Sequence, residues 1–221
     1  MQFDFSPVLE RLPYLAAGAW LSLQIAFLAF ALGMILGLAG ASIRAYGPRW
    51  AAWLVGAYVV FFTNTPQLIQ IFFIFFGLPS LGLRLSPNEA ALLALVVNFG
   101  AYGTEIIRAG IESIHKGQVE AGTALGLSKL QIFRYIIMKP ALRTVYPSLT
   151  SQFIYLMLTS SVVSVISADD LAAAGNDLQS STFASFEVYI VITLMYLALS
   201  IGFSAIFAAI ERMAFKYPLS R

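Results

Sequence analysis

Side chains able to do chemistry are few in this sequence, and they gather in three places. The first is residues 61–70, where Thr63, Asn64, Thr65, Pro66 and Gln67 interrupt an apolar run. The second is residues 148–164, with Ser148, Thr150, Ser151 and Gln152 followed by Thr159, Ser160, Ser161 and Ser164. The third is residues 120–143, a hydrophilic island that carries charge. The first two patches hold hydroxyls and amides but no formal charge. Such groups suit a polar solute that is uncharged or zwitterionic, whereas a pore that selects ions by fixed charge would display that charge. Catalysis has little to work with. There is one histidine, His115, no cysteine and no cluster of acids, hence no nucleophile–base pair, thiol chemistry or metal cage. No G-x-x-x-x-G-K-[ST] run is present to cradle a nucleotide's phosphates, so any ATP hydrolysis belongs to a partner.

The rest of the chain exists to hold these patches. Of 221 residues, 59% are hydrophobic and only 11% charged, far below the roughly 25% charged residues of a soluble domain. A spanning helix needs about 20 largely apolar residues. Five segments meet or approach that length: 14–43, 51–78, 90–107, 144–168 and 188–210. The third qualifies if it runs on through Glu105 to Ile107. The expected fold is therefore all-α, a single polytopic membrane domain over residues 1–221 with five transmembrane helices. Asp4 and Glu10 precede Arg11 and a long apolar run, which is not the basic start and short core of a cleaved signal peptide.

Five spans place the termini on opposite sides. With the N-terminus outside and the C-terminus cytoplasmic, eleven of the thirteen basic residues face inward, Lys216 and Arg221 among them, and only Arg11 and Arg84 face outward. The positive-inside rule selects that orientation. Residues 108–143 then form a cytoplasmic loop.

Several local features carry alternative readings. Pro66 lacks an N–H and disfavours helix at Thr65. The second run is therefore either a kinked helix satisfied by its own threonines or a discontinuous helix lining a wet path. The hydroxyls of the fourth run either bond back to their own backbone or form a hydrophilic face. Glu105 lies three residues before Arg108, the spacing of a structural ion pair. Gly33, Gly37 and Gly40 make a small-residue ridge for close helix packing. The uniformly apolar fifth run reads as packing. Residues 168–187, with Asp169, Asp170 and Asp177, read as a solvated outer turn or a docking loop.

Within residues 120–134, Ala121, Ala124, Leu125, Leu127, Leu130, Ile132 and Phe133 recur at helical spacings. Gly126 and Ser128 offer a break and a new N-cap. Two short helices with an exposed apolar stripe either rest on lipid or fill a partner's groove.

At these residues the chain resembles a known family. Glu120-Ala121-Gly122-xxx-Gly126, followed by Ile136-Ile137-Met138, is similar to the EAA loop of ABC-importer membrane subunits. The runs 62–70, 101–108, 116–121 and 125–128 resemble polar amino acid permeases of the histidine/glutamine/opine type. The resemblance implies the type I importer permease fold in a bacterial inner membrane. It implies partners as well: two ATP-binding cassette subunits, a second permease copy or paralogue, and an extracytoplasmic solute-binding protein. ATP and Mg would be held by the ATPase and no cofactor by this chain. Coupling to the ATPase would fall to Gly117, Glu120, Ala121, Gly122, Leu125, Gly126, Leu127 and Ser128. The substrate path would be lined by Thr63, Asn64, Thr65, Pro66, Gln67, Thr159, Ser160 and Ser161. The chain departs from the pattern in having Thr63 where arginine is common, Leu158-Thr159-Ser160-Ser161-Val162 where two charges are usual, and Pro140 one place late. Setting the resemblance aside, a self-sufficient channel or secondary carrier for a polar solute also fits the residues.

Overall fold

Apolar runs this long can satisfy their backbone in lipid only as helices, and helices are what the chain forms. The computed structural model describes residues 4–215; Lys216 and Arg221, counted above with the inner set, lie outside the described residues. In chain order the helices are α1 (Ser6–Glu10), α2 (Leu12–Tyr46), α3 (Arg49–Thr63), α4 (Gln67–Phe72), α5 (Pro87–Glu112), α6 (Lys116–Ala124), α7 (Lys129–Gln131), α8 (Met138–Thr159), α9 (Leu171–Thr182) and α10 (Ser185–Ala214). A π-helical turn and a 3-10 turn extend α4 as far as Leu81. A π-helical turn over Ile132–Ile137 joins α7 to α8, and a 3-10 segment, Ser160–Ile166, follows α8.

Among the described residues, four stretches are long and apolar enough to cross a membrane: α2, α5, Ile132–Ile166 and α10. A fifth candidate is the bent pair of α3 with Gln67–Leu81, whose halves diverge by 110° at the residues around Pro66. Residues 51–78 are thus two half-helices, not one kinked rod.

The centre of the molecule is α5. Its start is fixed by a capping box in which the Ser86 hydroxyl accepts from the Glu89 N–H and the Glu89 carboxylate accepts from the Ser86 N–H, with Pro87 at the first helical position. Its faces bury Ala94, Leu95, Phe99, Ala101 and Thr104, and it packs on α2, α3 and α8. The glycine ridge of α2 is the closest of these contacts. A Cβ built on Gly37 would stand 2.9 Å from the backbone carbon of Gly103, and one on Gly33 would stand 2.4 Å from a Phe99 ring carbon. The ridge therefore joins helices within one chain.

One expectation needs correction. Residues 168–187 are not mainly a turn: residues 171–182 form α9, seated on α2 and α10. Leu171, Ala174 and Leu178 give it a buried face that joins Val8, Leu15, Val188 and Ile192 in a second core. The apolar run 188–210 does pack, with α10 set against α8 and α9. Only Val188 and Ile192 on it are buried, and most of its surface faces outward. In lipid a helix needs no buried stripe, because the solvent is as apolar as the core.

Candidate functional site

The break in the second run is built from amides as well as threonines. The Thr63 and Thr65 hydroxyls donate to the carbonyls of Val59 (2.7 Å) and Phe61 (2.8 Å), four residues back. The Asn64 amide donates to Val60 O at 2.8 Å. These bonds end α3. What holds the second half to the first is Gln70, 4% exposed. Its Nε2 donates to Phe62 O (3.0 Å), Thr65 O (3.0 Å) and Thr65 Oγ1 (2.7 Å). Its Oε1 accepts from Asn98 Nδ2 at 2.8 Å, which ties the break to α5. An amide side chain thus supplies the donors that a helix interrupted at Pro66 can no longer provide. Sequence reading missed this role; an amide in each of two apolar runs was the available signal.

The hydroxyls of the fourth run turn inward on their own helix. Thr159 donates to Tyr155 O (2.8 Å), Ser160 to Met157 O (2.7 Å) and Ser161 to Leu158 O (2.8 Å). Ser160 is fully buried. The 3-10 segment that begins at Ser160 packs directly on α4, so the two uncharged patches meet there. Thr63, Thr65, Gln67, Thr159 and Ser161 are part-exposed, while Asn64 and Pro66 are exposed.

At the other pole, α6 projects from the body. Gly122 is its one buried residue; a Cβ there would stand 2.4 Å from Ile136 Cδ1, so the helix lies on the π-helical turn 132–137. Its C-terminus is a Schellman cap. The Leu127 N–H donates to Gly122 O (3.1 Å) and the Gly126 N–H to Thr123 O (3.0 Å). Gly126 has φ +76°, a left-handed conformation that favours glycine, and a Cβ there would meet nothing within 4 Å. Ser128 then caps the next helix: its N–H donates to Gln131 Oε1 at 2.8 Å and its Oγ accepts from the Gln131 N–H at 3.4 Å. The break and new cap expected at Gly126 and Ser128 are both present. Leu125 is 80% and Leu130 75% exposed, with Gly117, Glu120 and Ala121 also exposed and Leu127 half-buried. An apolar stripe is therefore offered outward on a rigid turn.

Between the poles, Glu105 pairs with Arg108 (2.7 Å) and with Arg44 of α2, and Arg108 also pairs with Glu112 (2.6 Å). The pair expected at this spacing is one link of a four-residue network joining α2 to α5. Near α9, Asp170 is 1% exposed. Its Oδ1 accepts from the Ala173 N–H (2.7 Å) and its Oδ2 from the Tyr196 hydroxyl (3.2 Å), while the Leu171 N–H donates to Ser22 Oγ (3.0 Å). Burial pushes the Asp170 carboxyl up to about 6, against the lowering effect of those bonds. Among the described residues no group of His, Cys, Asp and Glu is placed to hold a metal.

Comparison with known proteins points in one direction. Residues 29–216 match the family described as binding-protein-dependent transport system inner membrane component. The chain is 35% identical over 214 residues to the glutamine transport system permease protein GlnP of Escherichia coli (strain K12), covering 96% of this chain and 98% of that one. It is 32% identical over 213 residues to the arginine transport system permease protein ArtQ of Bacillus subtilis (strain 168), covering 96% and 97%. Among solved structures, an amino acid ABC transporter crystallised with histidines superposes with a TM-score of 0.91 at 32% identity, covering 96% of this chain and 100% of that one. A methionine ABC transporter, MetNI, matches at TM-score 0.72 and 20% identity over 91% of this chain and 98% of that one, a likeness of fold.

Proposed function

Because the chain belongs to the family of inner membrane components of binding-protein-dependent transport systems, we propose that it is the permease subunit of an ATP-driven amino acid importer in a bacterial inner membrane. It crosses the bilayer five times, N-terminus outside, with the bent pair of α3 and α4 counted as one crossing. The subunit breaks no bond itself. It pairs with a second permease copy or a paralogue, receives solute from an extracytoplasmic binding protein, and takes its motion from two ATPase subunits that hold ATP and Mg.

The observation that carries this reading is α6. A short helix with an exposed apolar stripe, stopped by a Schellman cap and followed at once by a capped second helix, is built to seat in a partner's groove and transmit force. Residues 117–128 are the coupling element, and the lysine and arginine around them support a cytoplasmic ATPase as the partner. Solute passes beside the break at residues 63–67 and the end of the fourth run at residues 159–161. The test is copurification followed by uptake. The complex should retain an ATPase and, in proteoliposomes with its binding protein, accumulate amino acid only with ATP inside. Gly126→Asp should insert and assemble yet lose uptake. Normal uptake by that variant, or transport by the isolated chain, would refute the reading.

A further inference from the structure

Eight residues line the path proposed above, and the inference here rests on that reading. Seven of them have no side-chain donor left. Pro66 has none. The Thr63, Thr65, Thr159, Ser160 and Ser161 hydroxyls each give their single hydrogen to a carbonyl three or four residues back. The Asn64 amide is engaged with Val60 O and Thr63 Oγ1. The eighth is Gln67, at the start of α4, one residue beyond the proline. Its Nε2 is the buried side-chain nitrogen or oxygen that has no hydrogen-bond partner among the described residues. Three residues further on, Gln70 has the same amide fully engaged. An enclosed amide without an acceptor is costly, and a transporter gains from such a group only if a ligand supplies the acceptor.

We infer that Gln67 is a substrate-binding residue whose amide N–H groups receive the α-carboxylate of the transported amino acid. The carboxylate is the strongest acceptor that every amino acid shares, and charge-assisted bonds are the strong ones. No positively charged side chain stands among residues 61–70 or 159–164 to compete for it. The Nε2 atom is enclosed while the residue as a whole is only part-buried, so carboxylate binding requires the terminal amide to turn toward the path. The unmet donor also makes a signature that a packing residue cannot show: replacing Gln67 with an apolar residue should weaken ligand binding and leave the protein as stable as before or more so.

The experiment uses the purified complex of permease and ATPase in detergent, without binding protein, so that affinity reports the membrane site. Labelled L-glutamine, L-arginine and L-cystine are the probes. In a separate assay, ATP-driven uptake by the wild type in proteoliposomes with its binding protein identifies which is carried, and failure to take up any of the three counts against the importer reading for these solutes. For a carried probe, Gln67→Leu should raise Kd by about tenfold or more, and Gln67→Glu should raise it further, because it sets a carboxylate against a carboxylate. The thermal midpoint of Gln67→Leu should stay level or rise. The inference is overturned if Gln67→Leu binds within twofold of wild type, if Gln67→Glu binds no worse than Gln67→Leu, or if Gln67→Leu loses several degrees of stability. Uptake by a wild type that shows no measurable binding would overturn it as well.

Discussion

Replacing Gln70 with leucine tests whether an amide clamp holds the broken span. The leucine fills a similar volume but strands three groups: the carbonyls of Phe62 and Thr65, and the amide of Asn98, itself 4% exposed. Leaving a buried polar group unpaired costs about 1–3 kcal/mol. The two carbonyls sit in a half-open region and belong at the low end of that range. Interhelical side-chain bonds in membranes average only about 0.6 kcal/mol, which sets the floor. Three groups at between 0.6 and 1 kcal/mol each predict a loss of about 2–3 kcal/mol. Unfolding by sodium dodecyl sulfate, followed through tryptophan fluorescence, would measure it. The decisive comparison is a double-mutant cycle with Asn98→Leu. Once Asn98 is gone, Gln70→Leu no longer strands its amide, so its cost should fall by about 1 kcal/mol. If the two substitutions are additive within about 0.3 kcal/mol, the clamp is not a unit and the reasoning fails.

Three other outcomes follow from the geometry. Gly37→Val should destabilise by more than about 2 kcal/mol, because the new atoms meet Gly103 backbone that cannot move aside, whereas Gly202→Ala, with nothing within 4 Å, should be neutral or stabilising by up to about 1 kcal/mol; thermal midpoints compare them directly. Gly126→Ala should cost about 1 kcal/mol from its left-handed backbone alone, with no clash, so its melting change should be small while ATP-driven uptake falls. Asp170 gives a pH dependence. Its carboxyl titrates near 6 when folded and near 3.8 when unfolded. The folded state therefore holds the proton longer; stability is greatest below about pH 4, declines by about 3 kcal/mol as pH rises toward 6, and is level above. Asp170→Asn, which keeps the cap, should remove that slope in melting curves between pH 4 and 7.

Much of this was legible in the sequence, and the exceptions have physical causes. The five apolar runs, the interruption at Pro66 and the break at Gly126 with its Ser128 cap all follow from local rules: backbone satisfaction in lipid, a missing N–H, and a glycine before an N-cap. What escaped was tertiary. Nothing local to Gln70 says that its amide meets Asn98, 28 residues away. Asp169-Asp170 looks solvated, yet Asp170 begins a helix whose apolar face, Leu171, Ala174 and Leu178, is spaced too sparsely among alanines and polar residues to stand out. The hydroxyls of the fourth run could have faced either way, and hydrogen-bond geometry decided for their own carbonyls. Uniform hydrophobicity along α10 likewise says nothing of which side meets lipid.

The contact of Gly33 and Gly37 with α5 restricts how the subunit can move. Where Gly37 meets the Gly103 backbone directly and Gly33 sits under the Phe99 ring, neither helix can roll or slide without collision, so α2 and α5 form one stiff chassis. The charged links from Arg44 through Glu105 to Arg108 bolt the same two helices at one end. Any switch of access must then occur at the remaining joints. Those are the bend between α3 and α4, the π-helical turn under α6, and the 3-10 stretch after Thr159.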